Sequence, residues 1–412
     1  MNTTPDAITT DPVTLGWMRG APPPADKLVR HADMTHMAFP RTRWAFTHQR
    51  QLMPTTRVWR GAAGPGTLPQ ALRQDLDAVR FTPMGASQAM TWSESLQANF
   101  TDAIVVLHQG RVVYERYFGV MAPHAVHIAM SVTKSYTGTL AAMLVHEGAL
   151  DELAPVTRYV PELAHSAFAH ATVRQVMDMV TNLRYSEDYT DPNADIQHFI
   201  RAIGLLPRAA DYSGPATTCQ FLQTVAAAGP HGQAFTYKTV NTDVLGWMLR
   251  RVTGQSLGEL LSERIWQKIG AQEDASLIVD SEGTEFAGGG LSATVRDMAR
   301  FGETMRLGGH FNGQQIVPTA VVEDIQRGAD PTHFVSAGFH TLPGASYRSM
   351  WWVTHNADGA YMARGVHGQG IYINPKAEVV IARFASHPMA GNVHLDPTTL
   401  PAYQSLCDHL RH

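Results

Sequence analysis

Apolar positions along the chain change period in a way that separates strands from helices. The run Ala103–His108 is continuously apolar and rich in β-branched residues; after Gln109-Gly110 a second run, Arg111–Phe118, carries valine and aromatic positions. Two such runs around a glycine-bearing turn predict a β-hairpin. From Ser131 to Glu147 the pattern becomes uninterrupted and apolar with many small residues, and Gly148 supplies a stop, which predicts a buried helix. Helical spacing also recurs over 69–80, 92–99 and 296–306, after Thr172 as N-cap through Met179, and from Asn241 until Gly254. Strand-like stretches return near the C-terminus at 350–354, 360–367, 370–374 and 377–384. Residues 184–216 are rich in Asp, Pro and Tyr and read as an ordered surface loop.

Strands at both ends with helices between them predict an α+β fold. Its antiparallel sheet would be built from both termini and flanked by helices, with a mainly helical insertion. The expected organisation is an extended arm over 1–40, a sheet domain from 41–130 and 286–412, and a mainly helical domain over 131–285. The site is expected in the cleft between the two domains.

Composition narrows the function classes. The 412 residues are 44% hydrophobic and 17% charged, with net charge −4 and pI near 6.6. That describes a well-packed globule with no electrostatic footprint for nucleic acid or an anionic membrane. Cys219 and Cys407 suggest no disulfide framework, and the first 40 residues lack the apolar core of a signal peptide. A cytoplasmic enzyme without a membrane span is expected, and the composition is compatible with a homodimer. The 20 histidines lack zinc-like spacing, so neither a metal nor another cofactor is expected.

The candidate chemistry starts from one charge. Lys134 is the only formally charged side chain between Arg116 and Glu147, and it follows Ser131 by three residues on the predicted helix. Positions i and i+3 share a helix face, so the amine reaches the hydroxyl. Burial disfavours the ammonium, and a neutral lysine can act as a base toward serine. The bland alternative is a lysine that snorkels its head to water. Tyr237 by itself reads better as a core aromatic, and the three glycines at 288–290 as permission for close backbone approach.

Ser131-Val132-Thr133-Lys134 after an N-terminal hairpin resembles the serine β-lactamase and penicillin-binding-protein superfamily. Phe235-Thr236-Tyr237 through Gly246 looks like the tyrosine motif of class C β-lactamases and allied esterases, and Gly288-Gly289-Gly290-Leu291-Ser292-Ala293-Thr294 precedes a helix as it does there. Within that superfamily several segments are similar to 6-aminohexanoate-dimer (nylon oligomer) hydrolases: Arg43-Trp44-Ala45-Phe46, Glu187 to Pro192, Asn241 to Leu245, Trp351-Trp352 and His367-Gly368-Gln369. The resemblance extends from about residue 42 to 385. The chain departs from it at Thr239, where the tyrosine motif often has Asn, and in lacking a Lys-Thr-Gly strand. The counterpart of that strand is either Ala363-Arg364-Gly365, the favoured choice, or His367-Gly368-Gln369.

The resemblance implies a serine hydrolase working through an acyl-enzyme on Ser131, with small carboxylic esters or linear amides as substrates. Lys134 and Tyr237 would share the proton traffic, with Tyr237 brought down from its ordinary value near 10 by the lysine cation. Backbone N–H groups of Ser131 and Val366 would form the oxyanion hole. Tyr189, Trp352, Arg364 and Asn241 are candidate substrate contacts; Gly288 and Ile200 fall in cleft-lining stretches without offering a polar group. Competing readings are a β-lactamase or D-alanyl-D-alanine carboxypeptidase, and a catalytically inactive binding module on the same fold.

Overall fold

The computed structural model describes residues 5–412 and shows one large antiparallel sheet sandwiched by helices, with a mainly helical lobe beside it. The sheet's strands are β1 (Thr101–His108), β2 (Arg111–Tyr117), β3 (Ser346–Arg348), β4 (Trp351–Val353), β5 (Tyr361–Gly365), β6 (Gln369–Asn374) and β7 (Val379–Ala385). They lie in the order β3-β4-β5-β6-β7-β1-β2, so the N-terminal hairpin docks on the last strand of the chain. Val105 opposes Ala382 and Val106 opposes Ile381 across that junction. Gln109 and Gly110 both have positive φ, 51° and 75°, the mirror-image turn geometry that matches the twist of a two-residue hairpin.

Both faces of the sheet are covered, which is why β1 and β7 are buried at nearly every position and mostly apolar rather than alternating. Helix α3 (Val295–Arg306) lies on one face. Its Gly302 permits the contact, since a Cβ there would sit 2.6 Å from Val380 Cγ1 and 2.8 Å from Ile371 Cγ2. On the other face α4 (Asp396–Leu410) brings Tyr403 within 5.3 Å of the Tyr372 ring.

Four short strands form a second sheet in the order Thr55–Val58, Ala275–Ile278, Leu291–Ala293, His127–Ile128. The last of them feeds directly into α1 (Val132–His146), which is buried over nearly its whole length. Gly138 lets α1 pass under the 349–350 turn, where a Cβ would come 2.2 Å from the Ser349 carbonyl oxygen. Helix α2 (Val240–Thr253) packs beside α1 and ends at Gly254 in the left-handed conformation.

Three expectations are corrected. Residues 69–80 are not a helix: Pro69, Ala71 and Arg73 exchange backbone hydrogen bonds with Val112 and Val113, covering the edge of β2, and only Asp75–Ala78 makes a helical turn. Edge pairing outweighs helical spacing there. The 184–216 stretch contains a helix, Asp195–Ala202. Over its described part the N-terminal arm is not extended but makes short turns, burying Trp17 and Val29 against Trp44 and Ala45. Among the described residues no helix is long and apolar enough to cross a membrane.

Candidate active site

The turn that carries Ser131 is held at both ends. Met130, immediately before Ser131, has φ of 48°, a strained value for a residue with a side chain. Its carbonyl accepts the Thr133 amide at 3.0 Å and the Thr133 hydroxyl at 2.7 Å. Thr133 Oγ1 in turn accepts the Leu291 N–H at 3.1 Å, tying the turn to the small sheet. Gly365, the last residue of β5, has space for no side chain: a Cβ would lie 2.8 Å from the Ala129 carbonyl and 3.0 Å from the Ser131 nitrogen. That close approach sets Val366 at the cleft beside Ser131.

Lys134 Nζ is 2.9 Å from Ser131 Oγ and donates to the Gly288 carbonyl at 2.5 Å. The side chain is 1% exposed, so it does not snorkel. Burial drives its pKa below the ordinary lysine range, opposed by the charges of Glu187 and Asp243. The Tyr237 ring lies over the amine, with Nζ 5.2 Å from its centroid, and stacks on Trp352 at 5.5 Å. Burial and the Glu187 charge hold the Tyr237 phenol above its usual value, against a lowering hydrogen bond to Ser131 and the charge of Arg364. The expectation of a lowered tyrosine is therefore corrected: desolvation of a phenolate outweighs the influences that lower it. Tyr237 stands as a neutral phenol.

Ser131, Tyr237, Trp352 and Val366 line a cleft of about 640 Å³ between the helical lobe and the sheet. One wall is aromatic, with Phe235, Tyr237, Phe339 and Trp352 in mutual contact at centroid distances of 4.8 to 6.4 Å. The paired tryptophans divide as their alternation in a strand requires. Trp351 is in the core with its indole N–H on Thr139 Oγ1 at 3.0 Å, and Trp352 is in the cleft wall. Tyr189 lies on the rim, its hydroxyl 2.9 Å from Glu187 Oε1.

Other expected contacts fall elsewhere. Asn241 is fully buried outside the cleft, its amide oxygen accepting from Thr181 at 2.7 Å and its amide nitrogen donating to the Lys238 carbonyl at 3.1 Å. It ties the start of α2 to Thr181 and does not line the cleft. Ile200 is likewise in the packing of its helix and does not line the cleft. Arg364 does line it, but its guanidinium is paired with Asp396, whose other oxygen accepts from Thr341 at 2.5 Å. Its charge is thus matched within the chain. Glu187, Asp243 and Asp396 are site carboxylates that the sequence reading passed over. Glu187 belongs to the same acidic segment as Tyr189, a usable signal; Asp396 had none.

Among the described residues no group of three or more His, Cys, Asp and Glu side chains could hold a metal ion.

A serine turn, a buried lysine and a tyrosine brought together beside an antiparallel sheet agree with the family comparison. The β-lactamase family model matches residues 94–397, and the chain belongs to that family. It is a hydrolase of the serine β-lactamase superfamily with the corresponding fold. The chain is 38% identical over 356 residues to the 6-aminohexanoate-dimer hydrolase of Paenarthrobacter ureafaciens, covering 86% of this chain and 88% of that one. A solved Bacillus anthracis protein, assigned by name to the 6-aminohexanoate-dimer hydrolases, superposes with TM-score 0.85 at 33% identity over 95% of this chain and 99% of that chain. An octameric penicillin-binding protein homologue from Pyrococcus abyssi shares the fold at TM-score 0.57 and 19% identity, covering 76% of this chain and 74% of that one.

Proposed function

We propose that the chain cleaves small carboxylic esters through an acyl-enzyme on Ser131. The observation that carries this reading is the 2.9 Å approach of Lys134 Nζ to Ser131 Oγ in a buried setting that favours the neutral amine. Lys134 takes the serine proton as Oγ attacks the substrate carbonyl. The developing oxyanion is received by the backbone N–H groups of Ser131 and Val366, a role supported by the tight fit of Gly365 against the Ser131 backbone. Tyr237, held as a phenol, is suited to protonate the leaving group and then to orient the hydrolytic water. The aromatic wall favours an apolar substituent over a charged one.

A second reading, hydrolysis of linear amides, is favoured by the 38% identity to a protein named for the 6-aminohexanoate dimer. The absent Lys-Thr-Gly strand and Thr239 in the tyrosine motif weigh against β-lactams.

Turnover of p-nitrophenyl butyrate, nitrocefin and the 6-aminohexanoate dimer ranks these readings. The expected order is clear ester cleavage, weak or no amide cleavage, and little or no β-lactam cleavage. Dimer cleavage without ester cleavage would move the assignment to the amide reading, and nitrocefin as the best substrate would overturn both.

A further inference from the structure

Residues 287–291 thread between the nucleophile turn and the first turn of α2. Thr137 Oγ1 donates to the Ala287 carbonyl at 3.2 Å and Lys134 Nζ to the Gly288 carbonyl at 2.5 Å. From the opposite side, the Gly288 N–H donates to Asp243 Oδ1 at 3.2 Å. One residue therefore has its carbonyl on the lysine and its amide on a carboxyl group. No side chain fits at 288, where a Cβ would lie 2.6 Å from Thr239 Cγ2 and 2.8 Å from Asp243 Oδ2.

Asp243 is 2% exposed, and its second oxygen, Oδ2, has no hydrogen-bond partner. A carboxyl oxygen buried in this way is costly unless a charge nearby answers it. Lys134 is the buried cation across Gly288. The other carboxylate facing that amine, Glu187, has its oxygens engaged by the Thr239 N–H, the Thr239 hydroxyl and the Tyr189 hydroxyl.

We propose that Asp243 is the positioning residue of Lys134: it fixes Gly288, whose carbonyl holds the amine, and it supplies the buried counter-charge for the ammonium formed when Ser131 is acylated. This rests on the acyl-enzyme reading above. In that step the Ser131 Oγ–H bond breaks, its proton goes to Lys134 Nζ, and the Oγ–carbonyl carbon bond forms. The carbonyl electron pair moves onto oxygen, and the proton leaves later with the departing group. The ammonium that exists in between faces the carboxyl groups of Asp243 and Glu187 and the Tyr237 phenol; Asp243 itself faces Lys134, Glu187 and the Tyr185 hydroxyl. Burial holds the Asp243 carboxyl above the ordinary carboxylate range, and the Lys134 charge is the largest influence that lowers it.

The test is the pH dependence of Ser131 labelling by a fluorophosphonate in wild type, Asp243→Asn and Glu187→Gln. Asparagine can still accept from the Gly288 N–H but carries no charge. The ammonium loses a partner, so the amine becomes free at lower pH. The acid limb of Asp243→Asn is expected to move down by about one pH unit or more, with the plateau rate reduced severalfold. A purely structural role would lower the plateau and leave the limb in place. Asp243→Ser, which keeps an acceptor of smaller size, repeats the measurement if the asparagine variant melts below the assay temperature. An unmoved limb in a folded variant overturns this inference alone. Absence of any wild-type labelling overturns the acyl-enzyme reading and this inference with it.

Discussion

At the scale of single residues the site turns on how burial weakens a lysine's hold on its proton. Lys134 has a hydroxyl at 2.9 Å, a carbonyl at 2.5 Å and an aromatic face above it, with the two carboxylates that oppose its neutralisation set further away. Desolvation therefore wins over attraction. The activity should fall on the acid side as Lys134 takes up a proton, at a pH below that of an ordinary lysine. Lys134→Met removes the base while preserving much of the volume. A loss of roughly a hundred- to ten-thousandfold in kcat is expected, the contribution of a general-base group. Tyr237→Phe keeps the stack on Trp352 and removes only the phenolic proton, so it should lower kcat much more than it changes KM. Steady-state kinetics on p-nitrophenyl butyrate reads both variants.

Among elements, the buried network at the start of β1 explains a segment whose role the sequence did not disclose. Arg43, 2% exposed, donates to Asp102 Oδ1 at 3.2 Å. Asp102 Oδ2 accepts from Ser386 Oγ at 2.5 Å and stands 3.3 Å from His127 Nε2. One carboxylate thereby joins the N-terminal segment, β1, the residue after β7 and the strand that leads to Ser131. Arg43→Leu leaves that carboxylate without its cation and should cost about 3–5 kcal/mol of stability, read as a lowered midpoint in urea unfolding.

The same scale shows what was legible beforehand. The hairpin, α1, α2, α3 and the C-terminal strands were visible because each has a long, regular apolar period, and Ser131, Lys134 and Tyr237 because they sit on or beside those elements. The four-stranded small sheet was not visible. Its strands are two to four residues long and come from four distant segments, so no local period betrays them. Asp243 was missed as a site residue, and Gly288 was read only as a cleft-lining position, for a related reason: their roles arise only where α2 and the small sheet meet. Asn241 was misassigned because a polar residue in a recognised motif can serve the start of a helix as readily as a substrate.

For the molecule as a whole, the two lobes are joined at the cleft, so acid should affect folding and activity separately. His367, next to Val366, is held neutral by burial, with its pKa lowered to about 4. An unfolded histidine titrates near 6.5. Between those values the unfolded chain binds a proton that the folded chain refuses. This contribution to stability is therefore present above about pH 6.5 and is lost progressively as pH falls toward 4. Thermal melts should show Tm declining through that window, with a shallower decline for a His367→Gln variant that stays folded at neutral pH.

The central claim is that Ser131 is the acylated nucleophile. Intact-protein mass spectrometry after treatment with a fluorophosphonate probe, followed by peptide mapping, tests it most directly. The account predicts a single adduct on Ser131 in wild type and none in Ser131→Ala. An unlabelled wild type, or an adduct that persists in Ser131→Ala, would contradict it.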